Sequence, residues 1–218
     1  MQFRNRPIAQ LPNAPRSIIP YPVEYLIKQY PIESGALEIQ YIEEFFGEFP
    51  RRKTAAEVLN RLRDREALIL MAEAPLPDDP SSLVPVSYKV VHEIKPNEKE
   101  PKLRDLVERL KDCVPFGTHR VLYSWIGATR RDWRGQGHFR ALTEESEAWA
   151  ISREFNQVVV KTKNHFYGMR STLAQLQFDV IKYERNPQSN GESKVYFSKR
   201  LSAELVAGHR SLRTVTQA

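Results

Sequence analysis

The segment Arg134-Gly135-Gln136-Gly137-His138-Phe139 constrains this chain more than any other stretch. It follows a run that reads as a strand, Val121–Thr129. It opens a helical stretch from about Gly137 to Phe155, where Phe139, Leu142, Ser146 and Trp149 are spaced to share one face. Two glycines in a strand-to-helix turn let the backbone bend tightly and let a ligand approach closely. The free N–H groups at a helix start favour an anion, and Arg134 places a positive charge beside them. Strand, glycine turn and helix in this order predict a pyrophosphate cradle. A turn that needs glycine for its geometry alone is the competing explanation.

The rest of the chain fits around this unit. Glu24–Tyr30 reads as a short strand and Gly35–Phe49 as a helix. Thr54 is suited to cap a second helix carrying Ala56, Val58, Leu59 and Leu62. Ala67–Ala74 is a nearly continuous apolar run, as in a strand buried on both faces. Pro75, Pro77, Asp78, Asp79, Pro80 and Ser81 are expected to break the chain before a Val-rich strand, Val84–His92. A polar stretch and a short charged helix, Leu103–Lys111, read as an insertion over 93–118. Beyond the long helix come a strand, Gln157–Thr162, and a helix, Tyr167–Leu176, with Met169, Leu173 and Leu176 on one side. Two final strands, Phe178–Arg185 and Lys194–Lys199, flank a polar loop with Asn190 and Gly191. This order predicts an α+β (α/β mixed-sheet) domain over 22–201, with an N-terminal arm over 1–21 and a tail over 202–218.

At 218 residues the chain is long enough for one well-buried domain. No apolar run approaches the ~20 residues that cross a bilayer. Arg4, Arg6 and Arg16 make the N-terminus basic, but Pro7, Pro12, Pro15 and Pro20 block the amphipathic helix of a transit peptide. A single cysteine, Cys113, excludes an intrachain disulfide and suits a reducing cytoplasm. The net charge of +6 attracts polyanions. No basic stripe interleaved with aromatics argues for nucleic acid, no His/Cys/Asp/Glu spacing resembles a metal site, and there is no Walker-type loop.

Arg134–Phe139 resembles the acyl-CoA signature Arg/Gln-x-x-Gly-x-Gly/Ala of the GCN5-related N-acetyltransferase (GNAT) superfamily. It departs at Phe139, where Gly or Ala is usual. Downstream, Val158–Ile181 resembles the superfamily's strand-then-helix block, with Asn164 after the strand and Gln177-Phe178 in place of Gly-Phe. Lys161-Thr162-Lys163-Asn164 with Phe166 and Met169, and the ending Lys194–Leu201, are similar to a bacterial GNAT subgroup. Two motifs in order, each on the expected element, are more specific than either alone.

The resemblance implies a GNAT-like splayed mixed sheet that opens between Val121–Thr129 and Gln157–Thr162. Acetyl-CoA is the implied acyl donor. Its pantetheine arm is expected against Ile126, Gly127, Ala128 and Thr129 and against the Asn164 amide, and its phosphates against Arg134, Gly135, Gln136, Gly137, His138 and Phe139. For Gly127 a β-bulge is the alternative reading, and for His138 an idle, exposed helix-start side chain. Catalysis is direct attack of an amine on the thioester, which needs a base for the amine and an acid for the thiolate. The tyrosine that often serves as acid is replaced by Leu173, and Val121–Thr129 holds no carboxylate. Tyr123, Ser124 and Tyr167 are left as candidates. His92 and His119 could serve as bases, and Glu43 and Glu44 could attract an amine, but structural roles explain each as well. Two functions stay open: N-acetyl transfer to a primary amine, and a catalytically silent acyl-CoA-binding module. A homodimer is open as well.

Overall fold

The structure, a computed structural model, describes residues 25–30, 32, 42, 53–76, 78–205 and 207–208. The expected helix Gly35–Phe49 with its acidic pair, the N-terminal arm and most of the tail lie outside these residues, apart from Ile42, which is helical and buried. Among the described residues, seven strands form one sheet in the order β1-β2-β3-β4-β5-β7-β6. They are β1 (Leu26–Tyr30), β2 (Ala67–Leu76), β3 (Asp79–Ile94), β4 (Val121–Thr129), β5 (Gln157–Lys163), β6 (Asp179–Glu184) and β7 (Lys194–Arg200). Only β4 and β5 run parallel; the other neighbouring pairs are antiparallel. The helices are α1 (Ala55–Leu62), α2 (Pro101–Leu110), α3 (His138–Ser152) and α4 (Tyr167–Gln175). None of them is long and apolar enough to cross a membrane.

The sheet is buried on both faces. One face carries Leu68, Leu70, Ala72, Leu122, Val158 and Phe197 under α3 and α4, with Leu142, Leu173 and Leu176 packed against them. The other is covered in two parts. Val58 and Leu62 of α1 pack with Ile69, Met71, Tyr88 and Val90, and Leu103, Leu106 and Leu110 of α2 pack with Val121, Tyr123, Val159 and Tyr196. The insertion therefore supplies core: Arg65 holds Glu98 at 2.8 and 3.2 Å, and Glu100 caps α2 by accepting from Leu103 N at 2.8 Å.

Local chemistry sets the element ends. Thr54 caps α1 in a reciprocal box: its Oγ1 accepts from Glu57 N at 3.1 Å and Glu57 Oε2 accepts from Thr54 N at 3.0 Å. The expected break at Pro75–Ser81 is a hairpin instead. β2 continues through Pro75 to Leu76, and β3 begins at Asp79, whose carboxylate accepts from Ser81 and Ser82. Register shifts at Ala72/Glu73 and Pro75/Leu76 absorb the irregularity around the prolines. The long helix stops at Ser152, three residues short of the sequence reading, because the chain turns left-handed at Glu154 (φ 60°).

Candidate active site

β4 and β5 pair over only four residues each, Val121–Ser124 with Gln157–Val160. Beyond that point, among the described residues, no strand lies beside the β5-facing edge of Trp125–Thr129. The parting strands leave a gap in mid-sheet, and the glycine turn stands at its far end. A 3-10 turn, Arg131–Trp133, carries the chain from β4 into Arg134–Gly137 and then α3. Gly135 and Gly137 adopt φ of 83° and 80°, which side-chain-bearing residues rarely hold, and open space surrounds both. Gly137 is the N-cap of α3 and no side chain caps this end. Gly135, Gln136 and Gly137 are exposed, and a helix start without a side-chain cap is the kind of backbone terminus that favours an anion. Arg134 flanks the turn, held by its Nε to Thr129 O at 3.1 Å.

Two neighbours of the turn differ from expectation. His138 is 2 % exposed, not an exposed helix-start residue. Its ring stacks on Tyr25 at 4.1 Å and meets Trp133 edge-on at 5.8 Å, and neither ring nitrogen has a hydrogen-bond partner among the described residues. Burial lowers its pKa, so a neutral imidazole packed among aromatics replaces the expected phosphate contact. Phe139 packs its ring against the core, with Lys89 Nζ 4.8 Å from the ring, so its side chain points away from the glycine turn.

Gly127 is needed for close approach, but of the sheet to itself: a Cβ there would lie 2.9 Å from Tyr88 O. The bulge lies upstream at Trp125, which is skipped as Val90 pairs Ile126 and Val91 pairs Ser124. Ala128 O and Thr129 Oγ1 both bond Ser87 Oγ, at 3.0 and 2.8 Å, tying the end of β4 to β3.

The three catalytic candidates do not converge. Tyr123 and Ser124 are neighbours on β4 and so point to opposite faces; each is 7 % exposed. Tyr123 lies in the α2-side core against His92, and burial raises its pKa to about 12. Ser124 faces α3 at the point where β4 and β5 part. Tyr167 is 67 % exposed at the start of α4, while Leu173 is fully buried. His92 is buried with Nδ1 2.7 Å from Glu93 O, and burial drives its pKa to about 3, so it stays neutral. His119 contacts Gln157 at 3.1 Å. The Asn164 side chain is buried and engaged within the protein: Nδ2 donates to Asn190 O at 3.2 Å and Oδ1 accepts from Arg170 at 2.5 Å. It does not cap α4, whose N-cap is Phe166.

Sequence reasoning missed a polar network under α3. Lys89 Nζ donates to Thr143 Oγ1 at 3.2 Å, and Lys199 pairs Glu147 at 2.7 Å with both side chains at most 1 % exposed. Glu144, equally buried, pairs Arg140 at 3.0 Å. A lysine amid Tyr88, Val90 and Val91, in a Val-rich strand, was the one signal for it.

No protein-family model and no curated protein matches the sequence. Solved structures do match the fold. Arabidopsis thaliana NAA60 in complex with a bisubstrate analogue is similar at TM-score 0.61 and 15% identity, over 81% of this chain and 99% of that one. The NatC complex bound to Gag peptide and CoA is similar at TM-score 0.60 and 12% identity, over 82% and 99%. The ribosomal-protein-S18-alanine N-acetyltransferase from Escherichia coli is similar at TM-score 0.55 and 14% identity, over 81% and 95%. So low an identity speaks to architecture alone, and the architecture of this chain is the GNAT fold.

Proposed function

We propose that the chain is an N-acyltransferase that moves an acetyl group from acetyl-CoA to a primary amine. The observation that carries this reading is the parting of β4 and β5 after Ser124 and Val160, directly ahead of an uncapped helix start with two left-handed glycines. A strand edge without a neighbour can hydrogen-bond the amides of a pantetheine arm, and the turn can hold the pyrophosphate beside Arg134. Acetyl-CoA supplies an activated thioester carbonyl. The protein's part is then mainly orientation, which contributes several kcal/mol where reacting atoms are well aligned. Ser124, at the parting point, is the side chain nearest in sequence to the reacting end of the gap. A reducing, cytoplasmic setting suits the lone cysteine.

The test is release of CoA from acetyl-CoA across a library of primary amines, with binding followed separately by melting temperature. Acetyl-CoA is expected to raise the melting temperature by mass action. Gly137→Val is expected to remove that rise while the apo protein still melts cooperatively, since Val is strained at φ 80°. A variant that binds as well as the parent would place the cradle elsewhere. Buried Leu173 and exposed Tyr167 favour the second reading, a silent acyl-CoA-binding module. Binding without release from any amine would select it.

A further inference from the structure

The pairing of β4 with β5 ends at Ser124 and Val160, and the two strands part beyond it. The glycine turn leads into α3, which covers one face, so a donor held there leaves the acceptor to arrive from the other. On that other face the first residues past the parting point are Trp125 on β4 and Lys161 on β5. Trp125 packs on the cluster that includes Val159 and Tyr196. Lys161 pairs with Tyr196 in the ladder, and its Nζ lies 6.0 Å from that ring. The two residues thus share one mouth of the gap.

The charges around this mouth do not cancel. Arg109 holds Asp105 at 2.7 Å and Glu184 at 2.9 Å. Glu184 also pairs Lys194 at 3.5 Å and accepts from Tyr196 Oη at 3.0 Å. Lys182 donates to Arg109 O at 2.7 Å. On the β4 side the Arg61 guanidinium lies 4.8 Å over the Trp125 ring and pairs Glu100 at 3.3 Å. Both carboxylates near Lys161 are therefore matched by other cations. Lys161 itself is half-buried, and its ammonium has no hydrogen bond or ion pair among the described residues. Burial, with Lys194 and Arg109, lowers its pKa, while Asp105 and Glu184 oppose this. A cation that has lost part of its water and gained no counter-ion is poorly solvated, and an anion arriving with a ligand corrects that.

We propose that the amine acceptor carries an anionic group, carboxylate or phosphate, which Lys161 receives at this mouth while Trp125 flanks the acceptor's body. The inference rests on the acyltransferase reading above. The test is CoA release with matched amines: each protein amino acid against its carboxamide, and O-phosphoethanolamine against ethanolamine. It is run on the parent, Lys161→Met and Lys161→Arg. In the parent, an anionic member is expected to exceed its neutral partner in kcat/KM by about tenfold or more, ~1.4 kcal/mol of discrimination. That ratio should fall towards one in Lys161→Met and be largely kept in Lys161→Arg, which separates charge from packing. The carboxylate and phosphate arms tell which anion is preferred. Equal or better use of the neutral amines, or a ratio unchanged in Lys161→Met, overturns the inference. Where no amine turns over, calorimetric titration of the same amines into the CoA-bound protein decides: Lys161-dependent binding of the anionic members supports it, and none overturns it. Failure of acetyl-CoA itself to raise the melting temperature sinks the acyltransferase reading and this inference together. Binding of acetyl-CoA without anion preference sinks the inference alone.

Discussion

Lys89 holds its ammonium in the core between β3 and α3, 3 % exposed, with one hydrogen bond to Thr143. Burial lowers its pKa to about 8, with Glu147 pulling the other way. The unfolded chain keeps an ordinary lysine, so between about pH 8 and 10.5 it binds more protons than the native state, and stability rises with pH across that window. Below about pH 8 the full cost of the buried charge is present. Lys89→Met, similar in length and apolar, should therefore be more stable than the parent at pH 7. That advantage should shrink by up to roughly 3 kcal/mol as pH approaches 10.5. Urea unfolding of both proteins from pH 7 to 10 measures it. A difference that stays constant with pH would show the ammonium to be solvated. The sequence placed this residue in a Val-rich strand, but which face it takes depends on bulges in the sheet. The same limit hid the burial of His138, whose neighbours Tyr25 and Trp133 come from separate parts of the chain.

At the level of elements, most of the chain was legible because period and caps are local. β4 matched its expected bounds, and Thr54 caps its helix as expected, with Glu57 completing the box. Errors fell where a side-chain-bearing residue takes a conformation usually left to glycine, as at Glu154. Gln177 is a second such place. It sits at φ 62° just past the end of α4, where Phe178 N donates back to Leu173 O at 2.9 Å. This is a left-handed helix stop, which explains why glycine is usual at this position in the resembling block. Gln177 is exposed, so little is lost with its side chain. Gln177→Gly should stabilise the fold by about 0.5–1 kcal/mol, read from the denaturation midpoint. Asn164, which joins the β5–α4 turn to the loop before β7, should behave oppositely. Asn164→Ala should lower apo stability by about 1–2 kcal/mol, the scale of its two side-chain hydrogen bonds. An unchanged apo melt would mean that those bonds contribute nothing net.

For the whole molecule, the sheet is a septum with a slit, and its stability is uneven. Leu68–Ala72, Val90, Val91 and Leu122 are at most 5 % exposed, whereas the outer strands β1 and β6 carry Leu26 at 57 %, Val180 at 58 % and Tyr183 at 46 %. Native-state amide exchange should be slowest in β2, β3 and the paired half of β4, and fastest in β1 and β6. Equal protection of β6 and β3 would contradict this. The glycine turn at the start of α3 was legible because it is continuous in sequence. The Trp125–Lys161 mouth was not, because strand pairing alone brings those residues together. The bulge at Trp125 acts as a phase shifter in β4. With one extra residue between Ser124 and Ile126, everything after it is turned over relative to a regular strand. That reversal puts Gly127 on the same side as Lys89 and α3, while Ile126 and Ala128 line the face under α1. Length in this short stretch is thus a coding constraint of its own. Loss of a single residue there would invert the wall of the slit, even if every remaining side chain were kept.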